Sequence, residues 1–93
     1  MNRVYIITYD IRNTWIRNYN PLFNALMSFP HWMHHMDNTW FVVTALTPQQ
    51  IYNFLAPYIY TDCRILVTRF TSDYFGLLDQ DAWNWISTHR DLL

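Results

Sequence analysis

The chain has 93 residues, a formal net charge of −1 and a hydrophobic content of 52%. This length predicts a single domain over residues 1–93, and the hydrophobic content excludes a disordered chain. The small net charge excludes a general basic field that would attract nucleic acid without specificity.

The charged residues are of two kinds only, because the chain has neither lysine nor glutamate. Arginine holds phosphates and carboxylates through a planar fork and also stacks on aromatic rings. The absence of lysine and glutamate excludes catalysis through a Schiff-base lysine or a glutamate general base. A compositional bias of the source genome is the alternative explanation for this inventory.

Cys63 is the only cysteine, which excludes a disulfide framework and a cysteine-based zinc site. The sequence shows no signal-peptide pattern, and no apolar run approaches the roughly 20 residues of a membrane span. We therefore expect a cytoplasmic protein in a reducing compartment, without a membrane partner.

The first ten residues predict the strand around which the rest is organised. The run Val4–Tyr9 is apolar, β-branched and aromatic, as in a strand buried on both faces. This strand, about residues 3–9, delivers Asp10 to its end. A carboxylate in that place favours a functional site, although an aspartate after a strand is more often a turn or cap residue.

Two helices are predicted by their starting residues. Asn20 can cap a first helix that begins at Pro21 and is ended by Pro30. The segment Thr47–Gln50 has a capping threonine, a proline at the first helical position and a capping-box glutamine. Pro57 tightens or ends this second helix.

The remaining elements are three strands and a last helix. The runs His31–Met36 and Thr39–Ala45 form a hairpin around residues 37–38. A fourth strand covers Arg64–Phe70, and an amphipathic helix covers residues 82–90. The order β-α-β-β-α-β plus a C-terminal helix predicts an α+β, ferredoxin-like fold with an antiparallel sheet and two helices on one face. A second chain or the C-terminal helix covers the other face.

The opening Tyr5–Ile11, in a chain of this length and order, resembles the small CRISPR-adaptation nuclease family (the second Cas protein) and its toxin-like relative VapD. The chain is also similar to small proteins labelled SinR-like, which have an opening Tyr-Asp, a Trp-His pair, a Ser/Thr-Trp hairpin strand and a late Trp-rich helix. The matching residues are Tyr9-Asp10, His31-Trp32 with His34, Asn38-Thr39-Trp40, Thr47 to Ile51, and Trp83 to Ile86.

The resemblance implies a ferredoxin-like homodimer and gives Asp10 a specific role. In the CRISPR-adaptation family, the strand-end aspartate that Asp10 matches is linked to divalent metal and phosphodiester cleavage across a dimer axis. Asp10 would then be the catalytic and metal-binding residue, with Mg²⁺ between two copies of it. Many family members are DNA-binding dimers that need no cleavage, and the lysine-rich surface of a duplex-DNA binder is absent here.

A second candidate site is the polar loop after the first strand. Arg12 and Arg17 flank Trp15, which provides forks for phosphate and a platform for a base. The alternative is a solvated loop with Trp15 packed into the core. Trp40, as an alternative platform, and either Arg64 or Arg69 of the fourth strand complete the predicted site. The predicted ligand-binding residues are Arg12, Trp15, Arg17, Trp40, Arg64 and Arg69.

Histidines form a third candidate site. His31 and His35 share one face of their predicted strand and, with Asp37, offer a set for a transition metal, while His34 points to the other face. Surface or interface histidines are the commoner explanation for this pattern.

The aromatic content of 19% exceeds what so short a chain easily buries, so we expect some rings to cover a partner or a ligand. The leading hypothesis is a homodimer that binds a nucleotide or short nucleic acid, such as a phage or mobile-element protein of defence or counter-defence that sequesters a nucleotide signal. The alternatives are a Mg²⁺-dependent phosphodiesterase or ribonuclease and a non-catalytic protein-interaction dimer.

Overall fold

The computed structural model describes all 93 residues and confirms the predicted α+β class. The elements are β1 (Arg3–Asp10), α1 (Asn20–Leu26), β2 (His31–Met36), β3 (Thr39–Thr44), α2 (Pro48–Leu55), β4 (Arg64–Arg69) and α3 (Gln80–Thr88). Short 3-10 turns follow α2 at Ala56–Tyr58 and α3 at Arg90–Leu92. None of the helices has the length and apolar content needed to cross a membrane.

The strands form one open antiparallel sheet in the order β2-β3-β1-β4. The predicted hairpin of β2 and β3 is present, and β1 pairs with β3 on one side and β4 on the other. Because β1 is hydrogen-bonded along both sides and covered on both faces, Val4 and Ile7 are fully buried. The first strand is therefore the structural centre of the sheet, as the apolar run Val4–Tyr9 predicts.

The first face of the sheet, which carries Tyr5, Ile7 and Tyr9 of β1, is covered by α1 and α2. It forms a core of 13 buried residues. Leu22 of α1 and Leu55 of α2 are fully buried in that core. Two helices thus lie on one face, as expected from the element order.

The second face is covered by α3, and only in part. Ala82 and Ile86 of α3 pack against Val4 and Phe41 in a smaller core of seven buried residues. The C-terminal helix therefore provides cover on the β2 and β3 side. The strip of this face around Thr8 and Leu66 stays open, since Leu66 is 61% exposed there.

The two predicted helix starts have different outcomes. The capping box of α2 is confirmed, because Thr47 Oγ1 accepts the Gln50 N–H at 3.2 Å and Gln50 Oε1 accepts the Thr47 N–H at 2.9 Å. The predicted Asn20 cap of α1 is wrong. Tyr19 occupies the N-cap position, and the Asn20 N–H donates instead to Asn18 Oδ1 at 3.0 Å. A side chain outside the helix therefore satisfies an N–H at its start.

Candidate functional site

Asp10 ends β1 at the surface and lies opposite Arg64 of β4 in the strand register. Its Oδ2 is 3.0 Å from Nη2 of Arg12, and these two side chains are 60% and 57% exposed. An ion pair so open to water is weak and is exchanged readily for another partner. A shallow pocket of about 260 Å³ between β1 and β4 is lined by Asp10, Arg64, Leu66 and their neighbours.

Trp15 lies in the loop that leaves this strand end, and its side chain is 83% exposed. The loop turns at Asn13, which has a φ of 55°, a left-handed conformation that asparagine tolerates. The Asn13 carbonyl accepts the N–H groups of Ile16 and Arg17 at 3.1 and 2.9 Å. Trp15 therefore does not pack into the core. We name Asp10, Arg12, Trp15 and Arg64 the Asp10 surface: Arg12 pairs with Asp10, Arg64 is the strand partner of Asp10, and Trp15 follows Arg12 in the loop.

Arg17, the other arginine of the loop, is committed to the protein itself. Its Nη1 and Nη2 bind Oδ1 and Oδ2 of Asp62 at 2.6 and 3.1 Å. The guanidinium carbon also lies 4.2 Å from the ring centroid of Tyr60. The Asp62 hydrogen bonds raise the pKa of Arg17, and those from Arg17 lower the pKa of Asp62. Arg17 thus holds the loop to the connection between α2 and β4, and a ligand would have to compete with Asp62 for it.

A buried polar cluster fixes the backbone under the same loop. The hydroxyl of Tyr19 donates to the Arg12 carbonyl at 2.6 Å, and the Arg12 N–H contacts Sγ of Cys63 at 3.4 Å. Burial raises the pKa of Tyr19, which keeps this hydroxyl a donor. The same hydroxyl contacts Sγ of Cys63 at 3.2 Å, and this thiol faces Asp62 Oδ1 at 3.7 Å. These contacts fix the Arg12 backbone, and nothing local in the sequence indicates them.

Two of the predicted ligand residues lie away from the Asp10 surface. Trp40 is 2% exposed, and its Nε1 donates to the hydroxyl of Tyr9 at 3.0 Å. A base cannot stack on Trp40 unless the core opens, so the structure places it outside the site. Arg69 lies opposite Tyr5, five residues along β4 from Arg64, or about 17 Å away. Of these two arginines, only Arg64 is the strand partner of Asp10 and lines the same pocket, and its Nη1 donates to the Cys63 carbonyl at 3.0 Å.

The predicted metal sets are not assembled within one chain. No group of three or more His, Cys, Asp or Glu side chains lies close enough to hold an ion. His31, His35 and Asp37 therefore do not form the expected transition-metal site. Asp10 provides a single carboxylate, and Arg12 already occupies it. One chain thus lacks the oxygen ligands that Mg²⁺ requires.

Comparisons with protein-family models, with curated proteins and with solved structures find no match for this chain. The geometry of the Asp10 surface is therefore the basis for proposing a function.

Proposed function

We propose that the protein is a ferredoxin-like homodimer that binds a nucleotide or a short single-stranded nucleic acid at the Asp10 surface. The observation that carries the proposal is the 83% exposed indole of Trp15 in the same loop as the exposed Arg12, which pairs with Asp10, the strand partner of Arg64. An exposed indole provides a stacking platform for a base, and arginine forks bind phosphate. The element order β-α-β-β-α-β supports the ferredoxin-like assignment.

Asp10 sets the strength of this binding. A phosphate that engages Arg12 replaces the Asp10 carboxylate as its partner and brings a second negative charge close to it. The carboxylate therefore opposes the ligand, and affinity is modest. Asp10→Asn removes the opposing charge, so under this proposal the variant binds the ligand more tightly than the wild type.

The test is a titration of mononucleotides and short single-stranded oligonucleotides at several salt concentrations. Trp15→Ala lowers affinity roughly tenfold or more, because the stacked base is lost. With two phosphate contacts, the slope of log K against log salt is about −1.4, and Arg64→Gln reduces it to about −0.7. Arg69→Gln is the matched control, because Arg69 is an exposed arginine at the far end of the same strand.

Two results overturn the proposal. One is the absence of binding by any nucleotide or oligonucleotide in the wild type. The other is a loss in Arg69→Gln equal to that in Arg64→Gln, which indicates general charge attraction. Absence of nucleotide binding in a stable dimer favours a protein-interaction module instead.

The homodimer rests on the open side of the second face. Leu66 of β4 is 61% exposed and lies opposite Thr8 of β1, which places both side chains on that face. A second copy that covers this strip buries the leucine and brings the two Asp10 surfaces together. Sedimentation of the wild type should give a dimer, and Leu66→Asp should give a folded monomer. A monomeric wild type contradicts this arrangement.

The second candidate function is a Mg²⁺-dependent phosphodiesterase or ribonuclease that uses Asp10 from two chains. The observation in its favour is that Asp10 shares the open sheet face with Leu66, where the second copy would lie. RNA and cyclic dinucleotides are incubated with the protein and Mg²⁺. An enzyme shows turnover that Asp10→Asn abolishes. A binding protein shows no turnover, and Asp10→Asn binds more tightly.

A further inference from the structure

Two histidines meet at the end of the sheet opposite the Asp10 surface. His31 begins β2, and His89 follows α3 at its C-cap position. Their ring centroids are 5.2 Å apart, with 47° between the ring planes. His31 pairs with Val43, which pairs with Val4 near the start of β1, so this pair is remote from Asp10.

The separation of the rings matches that of two histidines on one metal ion. A histidine nitrogen lies about 2.0–2.1 Å from a bound zinc ion, and tetrahedral geometry then places two ring centroids roughly 5 Å apart. The observed 5.2 Å between the ring centroids of His31 and His89 is close to this separation.

A hydrogen bond determines which ring nitrogen of His89 faces a metal. Its Nδ1 lies 2.8 Å from the carbonyl oxygen of Trp85. Because a carbonyl only accepts, Nδ1 carries a proton, and Nε2 is the nitrogen left to bind a metal ion. The ring packs on the Trp85 indole, with centroids 4.1 Å apart. His31 is exposed, so water can complete the coordination.

We propose that His31 and His89 bind one divalent transition metal ion of the zinc, nickel or copper class, which imidazole ligands favour. The ion links the C-terminal end of α3 to the edge strand β2 and so stabilises the packing of α3 on the second face. Only two protein ligands take part, since no third metal-binding side chain lies near. This site is independent of the proposed nucleotide site.

Titration of the tag-free chain with ZnCl₂ tests the proposal by calorimetry and thermal unfolding. We expect one ion per chain and a rise in Tm of roughly 5–10 °C when free zinc is about tenfold above its Kd. His31→Ala loses this rise, and its Tm without metal matches the wild type because the side chain is exposed. MgCl₂ gives no rise, since Mg²⁺ prefers oxygen ligands.

His35→Ala is the matched control, because His35 is an exposed histidine of the same strand. It should keep the full rise in Tm, whereas His89→Gln should lose it. The proposal is overturned if the wild type binds no zinc, if His31→Ala or His89→Gln keeps the rise, or if His35→Ala loses it as His31→Ala does.

Discussion

The two faces of the sheet differ in how completely they are covered. The first face lies under α1 and α2 and buries 13 residues, whereas the second lies under α3 and buries seven. Asp10 and Arg64 lie beside the uncovered strip of the second face, where Leu66 is exposed. The first face therefore contributes most of the buried core, and the open part of the second is where we propose that a ligand or partner binds.

Substitutions that leave a cavity in either core should cause the largest loss of stability. Leu22→Ala in the first core lowers the free energy of unfolding by about 4 kcal/mol, and Ile86→Ala in the second by about 2 kcal/mol. Both side chains are buried, but α3 is one helix on a half-covered face and can shift to close the cavity. Urea denaturation measures both values. Equal losses would contradict the comparison.

Trp40→Phe tests the polar contact inside the first core. It removes the donor to the buried Tyr9 hydroxyl and lowers the free energy of unfolding by about 2 kcal/mol. The added change Tyr9→Phe recovers part of this loss, because it removes the hydroxyl oxygen that has lost its donor, although it also removes the 3.5 Å contact of this hydroxyl with the Asp37 carbonyl. Trp32→Phe is the control at a more exposed position and should cost much less. An equal cost would mean that the hydrogen bond of Trp40 is not the cause.

Acid weakens the anchor of the loop. Arg17 lowers the pKa of Asp62 in the folded chain below its ordinary 3.8. The anchor therefore contributes its full stability above about pH 4 and loses it as the pH falls through the lowered pKa. Asp62→Asn should reduce Tm by a few degrees at pH 6, and the difference from the wild type should shrink toward zero near pH 2. Thermal scans across this pH range measure the Tm difference. A difference that persists in acid would mean that the ion pair is not its cause.

Trp15→Ala should have the smallest effect on stability. Because the indole is 83% exposed, its removal changes Tm by no more than about 1–2 °C. The same thermal scan separates it from Trp40→Phe. A loss as large as that of Trp40→Phe would show that the loop packs into the core and would leave the Asp10 surface without its stacking residue.

Local signals in the sequence predicted the elements well. The capping box of Thr47–Gln50 and the hairpin turn at residues 37–38 depend on neighbours in the chain, and both are present. The same holds for the buried first strand. The Asn20 cap failed because the helix begins one residue earlier than predicted, so Asn20 lies in its first turn, where its own N–H donates to Asn18 Oδ1.

The candidate site was predicted only in part, because its anchors are distant in sequence. Arg17 meets Asp62 across 45 residues, and Tyr19 meets Cys63 across 44. No spacing rule links such pairs. Composition also cannot tell the exposed Trp15 from the buried Trp40, since the fold alone decides which indole faces water.

The most direct test of the account is the affinity of the wild type and Trp15→Ala for one short single-stranded oligonucleotide, measured by fluorescence anisotropy. We predict measurable binding by the wild type and an affinity lower by roughly tenfold or more in Trp15→Ala, with a Tm change of no more than about 1–2 °C. Equal affinities of the two proteins, or no binding by the wild type, would contradict it.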